Sequence, residues 1–257
     1  MYIYRAMAII DVFLACDTAI RNGTLIRRAN RRDKEFHFQD WFGARLGELG
    51  VAYDAPSRNS YPDFRLVEGA EGYEVKGLAF PGREADFDSN SQTPSGFHNA
   101  RTIFYLFGRY PKDPDEDQYP VIDMVLCHGD FLNADHEYVH SNKHVKAFGS
   151  YGDIKIRDRK MYVVPTPFAL TVGTTGQRTL ILPGDGVAVD QRVEQVGQLQ
   201  RAECAEILVG YEFNLKDNSL SPKRVPNPNA GRVHSFRAYR ARGAAGPGVS
   251  MRAPLAD

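Results

Sequence analysis

Between Tyr61 and Gly77 the chain reads YPDFRLVEGAEGYEVKG, and no other stretch restricts the fold as much. Two extended runs, Asp63 to Val67 and Gly72 to Leu78, flank the short polar link Glu68-Gly69-Ala70-Glu71, which has the form of a hairpin connection. Side chains alternate across a strand, so Glu74 and Lys76 share one face and Val75 takes the other. Asp63, on the neighbouring strand, can sit beside them. Two carboxylates and one ammonium then meet at a sheet edge. Carboxylate oxygens can hold a hard cation such as Mg²⁺. Such a cation polarises a phosphodiester and lowers the pKa of a bound water. A lysine beside it can orient that water, or act on its proton if its own pKa is depressed.

Pro62-Asp63, then ten residues, then Glu74-Val75-Lys76 resembles the PD-(D/E)XK nuclease superfamily, and most of all the type II restriction endonucleases. The resemblance covers roughly Asp33 to Tyr110. It implies an α/β fold with a restriction-endonuclease-like core: a central mixed β-sheet flanked by helices, with additional β-hairpins. It also implies a Mg²⁺-dependent endonuclease acting on double-stranded DNA, with Asp63 and Glu74 as metal ligands and Lys76 orienting the water. Restriction enzymes of this kind commonly act as homodimers on palindromes, because two-fold protein symmetry mirrors two-fold site symmetry. They often carry a further acid on the helix before the hairpin, and Glu35 matches that place. In the same position Glu35 could simply favour the helix dipole from the first turn. The motif residues could also make an ordinary amphipathic hairpin with a surface ion pair. Within the enzyme class a repair or structure-specific nuclease is the alternative; outside it, an inactive DNA-binding module.

A formal net charge of zero over 257 residues does not announce a nucleic-acid binder. The distribution says more. Arg27, Arg28, Arg31, Arg32 and Lys34 form one basic cluster, and Pro222 to Asp257 holds seven Lys or Arg against a single Asp. Basic patches on a neutral protein suit a DNA cleft, and equally suit solvated segments. The length fits one larger domain with an appendage, read as a nuclease domain over 1–220 and a basic, partly disordered tail over 221–257. Three widely spaced cysteines, Cys16, Cys127 and Cys204, imply no disulfide framework and fit a reducing cytoplasm. The apolar run Ala6 to Cys16 is too short to span a bilayer, so no membrane partner is expected.

Along the chain, Ile3 to Arg21 has helical spacing and stops at Asn22-Gly23. A second helix begins near Asp33 and ends before Gly50, with Glu35, Gln39, Phe42, Leu46 and Leu49 on one stripe and Trp41 in the core. Ala79 to His98 lacks periodicity and reads as a long loop. Its Arg83, Ser89, Asn90, Ser91 and Gln92 are side chains that can read base edges. Thr102 to Tyr110 and Val121 to Cys127 read as buried strands joining the motif hairpin in the central sheet, with helices on both sides. His136, His140 and His144 repeat every fourth residue, but lack the Cys pairs of a closed zinc site. Asp153 to Arg157 and Lys160 to Val164 make a basic hairpin, whose Arg157, Arg159 and Lys160 could enter a major groove or blunt a sheet edge. Thr179 to Leu182 reads as a strand, Arg192 to Ala205 as an amphipathic helix and Glu206 to Leu215 as the final strand; the last fifteen residues look disordered.

Overall fold

The computed structural model describes residues 8–28, 34–54, 61–90, 93–114, 116–134, 155–157, 161–184, 190–214, 216 and 219–252. In chain order the elements are α1 (Ala8–Arg21), β1 (Ile26–Arg27), α2 (Lys34–Glu48), β2 (Tyr53–Asp54), β3 (Phe64–Leu66), β4 (Glu71–Phe80), β5 (Asp86–Asn90), β6 (Phe97–His98), β7 (Arg101–Pro111), β8 (Gln118–Tyr119) and β9 (Asp123–His128). They continue with β10 (Lys155–Arg157), β11 (Met161–Pro165), the single turn α3 (Pro167–Leu170), β12 (Thr171–Val172), β13 (Arg178–Pro183), β14 (Val193–Ala202), β15 (Glu206–Asn214), β16 (Ser219–Pro226), β17 (Val233–Ala241) and β18 (Ser250–Met251). The protein is mixed α/β with few helices. None among the described residues is long and apolar enough to cross a membrane.

A nine-stranded sheet carries the fold, in the order β14-β17-β13-β9-β7-β4-β3-β2, with β6 on β7. It is mixed: β4 runs parallel to β7 and β9 parallel to β13, and the other pairings are antiparallel. The expected hairpin is present, with Phe64 opposite Tyr73. β7 and β9 are the expected buried strands.

Strand alternation gives the sheet two unlike faces. Tyr73, Val75, Phe104 and Leu106 face a core shared with α1 and α2. α1 is helical because Ile9, Val12, Phe13 and Cys16 recur on one buried stripe, and it stops at Gly23, whose φ of 69° is open to glycine. α2 docks where two glycines oppose each other, Gly77 on β4 and Gly108 on β7. A Cβ at Gly77 would come within 3.2 Å of Phe38, and one at Gly108 would meet the Phe38 ring. This seat turns the helix so that Phe38, Trp41, Phe42 and Leu46 are buried. The expected stripe is therefore rotated: Gln39 is half-buried and Leu49 is 37% exposed.

The other face differs from the expected second helical layer. Leu78, Tyr105, Phe107 and Val125 pack against Phe87 of β5, Val164 of β11, Phe168 of α3 and Ile207 of β15. Strands and a single helical turn do what helices were expected to do. The stretch read as a loop over Ala79–His98 supplies part of this cover: β4 continues to Phe80, β5 pairs with β11, and β6 pairs with β7.

Two further expectations change. The helix expected over Arg192 to Ala205 is β14. Val193, Val196 and Leu199 are three apart, which mimics a helical stripe. A bulge between Gln195 and Gly197 resets the strand's alternation, so Val193 faces the helical core while Val196 and Leu199 face the other. The tail expected over 221–257 contributes β16 and β17, and β17 lies inside the sheet between β13 and β14. Its arginines masked an alternating run in which Phe236 and Ala238 enter one core and Tyr239 the other. β15 is accordingly not the last strand, and residues 250–251 pair as β18.

Candidate functional site

The hairpin register brings the motif together. Phe64 pairs with Tyr73, so the next residue outward, Asp63, stands opposite Glu74. The Val75 amide donates to Asp63 Oδ2 at 2.8 Å, and the Asp63 amide donates to Glu74 Oε2 at 3.3 Å. Glu74 Oε1 lies 2.8 Å from Lys76 Nζ, with side-chain exposures of 12% and 9%. Asp63, Glu74 and Lys76 thus form one network on the sheet face away from α1 and α2. The exposures rule out the solvated surface ion pair that the sequence left open.

Local packing fixes this arrangement. Pro62 is buried against Gly72, where a Cβ would stand 2.6 Å from Pro62 Cγ. The Tyr61 and Tyr105 hydroxyls are 2.8 Å apart, and Tyr105 is in register with Glu74. Burial, reinforced by the Glu74 charge, raises the Tyr61 phenol far above its ordinary range. Tyr61 is therefore a neutral hydrogen-bonding group beside the acids, not a base. His98 meets its ring edge-on at 5.0 Å.

A third acid of the hairpin serves another purpose. Glu71 points to the helical face, accepts the Tyr73 hydroxyl at 2.5 Å and takes the backbone amides of Ala8 and Ile9. It caps α1, and burial raises its carboxyl pKa.

Two neighbouring carboxylates suit Mg²⁺, which is commonly held by one or two carboxylates and keeps several waters. No cluster of three or more His, Cys, Asp or Glu occurs among the described residues. Glu35 is in the first turn of α2, on the helix that packs against Val75 and not against Glu74. The Glu35 side chain lies outside what the structure describes.

The DNA-contact candidates divide. Arg27 and Arg28 follow Ile26, which packs in the helical core, so they lie on the side away from Glu74. Arg28 stands 5.7 Å over the Tyr119 ring. Arg83 faces Asp86 at 3.7 Å. Ser89 and Asn90 end β5, which pairs with β11, which pairs in turn with β10 carrying Arg157. The supposed reading loop and the basic hairpin are one three-stranded sheet. Phe87 of β5 anchors it 4.8 Å from Phe107, the residue in register with Lys76. Ser91, Gln92, Arg159, Lys160, His136, His140 and His144 lie outside the described residues.

Sequence reasoning missed Tyr105, His98, Arg65 and Arg101 around the acids. Arg65 was within reach, since it sits two residues after Asp63 and so on the same strand face. The others come from distant strands. Comparison with known proteins adds no relative: the chain matches no family model, no curated protein and no solved structure.

Proposed function

We propose that this protein is a Mg²⁺-dependent endonuclease of double-stranded DNA, of the restriction type, built on a restriction-endonuclease-like core. One observation carries the reading: Asp63, Glu74 and Lys76 form a single hydrogen-bonded network on one face of the sheet, at the interior strand β4 and the residue before β3. Asp63 and Glu74 would hold the cation. When bound, it supplies charge to the phosphoryl oxygen and a lowered pKa to bound water. The Val75 amide keeps the Asp63 carboxylate turned toward the site. Glu74 holds the Lys76 ammonium next to the acids, where it orients the attacking water. A homodimer on a palindromic site follows from the same reading.

The test is plasmid DNA with Mg²⁺. Discrete fragments are expected, with activity lost in excess EDTA and Ca²⁺ supporting binding better than cutting. A smear, or cutting only at flaps, would favour a repair nuclease. Binding without any cutting would leave a DNA-binding module. Full activity in EDTA would remove the metal from the scheme.

A further inference from the structure

A polar cleft of about 250 Å³ is lined by Tyr61, Pro62 and Arg65, which flank Asp63 in the chain, together with Asp54, His98, Asn99 and Arg101. A larger hollow of about 400 Å³ lies along α1 on the opposite side of the sheet, away from the acids. Strand parity explains the chemistry of the smaller one. Phe64 and Leu66 enter the helical core, so Arg65 points to the Glu74 face. Ile103 and Tyr105 face the second core, so Arg101 points the same way.

Both guanidinium groups are placed for an anion. Arg101 Nη1 donates to the carbonyls of Leu66, Gly69 and Glu71 at 2.7, 3.1 and 3.4 Å. These neutral acceptors fix the group without cancelling its charge, and its other nitrogens have no acceptor among the described residues. Arg65 Nη2 bonds Asp54 at 2.7 Å, but Asp54 is 64% exposed, so the pair is weakly held. Arg65 Nε has no acceptor among the described residues. The turn between β6 and β7 presents Asn99 with φ of 47° and Ala100 with φ of 60°. This tight two-residue turn fixes one rim of the cleft.

We propose that this cleft is a phosphate-binding subsite, with Arg65 and Arg101 gripping the phosphate oxygens beside Asp63. Arginine suits the task because its planar fork matches two phosphate oxygens. Assigning the phosphate to the DNA strand being cut rests on the nuclease reading; the anion site itself does not.

The experiment titrates inorganic phosphate into the full-length, ¹⁵N-labelled protein in EDTA, observing the arginine Nε–Hε resonances. A short single-stranded oligothymidylate is run in parallel. Saturable shifts at Arg65 and Arg101 are expected. Arg65→Gln should weaken phosphate binding roughly tenfold, as for loss of one charge-assisted hydrogen bond. Arg101→Lys keeps the charge but not the fork, and should weaken it less. Equal thermal midpoints for wild type and Arg65→Gln establish that the fold is intact. Tighter binding of the oligonucleotide than of phosphate supports the strand assignment; equal or weaker binding overturns it and leaves a free-phosphate site. No saturable shift, or unchanged affinity in folded Arg65→Gln, overturns the subsite. Plasmid cutting without phosphate binding would sink the subsite alone. Phosphate binding without plasmid cutting would sink the nuclease reading alone.

Discussion

Glu74 with Lys76 and Arg109 with Asp123 are both ion pairs on the sheet face away from α1 and α2, the first within β4, the second joining β7 to β9. Their surroundings differ. Arg109 Nε donates to Asp123 Oδ1 at 2.7 Å, and Nη2 reaches Asp123 Oδ2 and the Thr174 carbonyl. The rings of Phe80 and Phe168 each lie 4.3 Å from the guanidinium, and both partners have zero exposure. Burial still raises the Asp123 carboxyl, with the Arg109 interactions opposing it. No substrate can enter such a site. Glu74 and Lys76 keep some exposure and share a network with a second carboxylate, Asp63, whose neighbours Pro62 and Arg65 line a cleft. Charge at a sheet face therefore does not mark a site by itself. Chemistry requires a direction left open.

The sharpest test of this contrast is at Lys76. Lys76→Ala should lower single-turnover cleavage by about 10²–10⁴-fold, the usual range for loss of a general acid–base group, with DNA affinity within a few-fold of wild type. Cutting at the wild-type rate would make Glu74–Lys76 as structural as Arg109–Asp123.

Next in size is the sealed pair. Arg109→Met leaves Asp123 buried without its counter-ion and should cost about 3–5 kcal/mol of stability, measured by urea unfolding. Pairing it with Asp123→Leu should recover most of the loss, because a packed apolar pair replaces a desolvated ionic one. Cleavage per folded molecule should not change in either variant. A specific loss of turnover would place Arg109 in the chemistry and erase the distinction.

The smallest effect concerns His128, where burial again outweighs a nearby charge. Burial lowers its pKa, opposed by Asp130, and its Nδ1 accepts the Asp130 amide at 3.2 Å, which requires a neutral ring. A folded pKa below the ordinary 6.5 means that the unfolded chain binds the proton more tightly. The stabilisation is present above that value and is lost as pH falls through the folded pKa. The slope should not exceed about 1.4 kcal/mol per pH unit. His128→Asn keeps an acceptor at this cap and should flatten the acid limb of a thermal-midpoint profile. Identical profiles would show that His128 is not the group responsible.

The sequence by itself determined the motif hairpin. Period-two alternation and a short polar turn act over neighbouring residues, so Asp63, Glu74 and Lys76 could be placed together before any fold was known. The stripe of α1 and the apolar runs of β7 and β9 were legible for the same reason. Only the tertiary structure decided what surrounds the motif. β5 meets β11 across more than seventy residues of chain, Arg65 and Arg101 meet across 36, and β17 enters the sheet between β13 and β14. No local period encodes such pairings. They are set by which edges and apolar faces remain to be covered once the hairpin and helices have formed. The bulge in β14 shows how tertiary pairing can override local pattern, since strand partners on β17 turn a three-residue spacing into two buried faces.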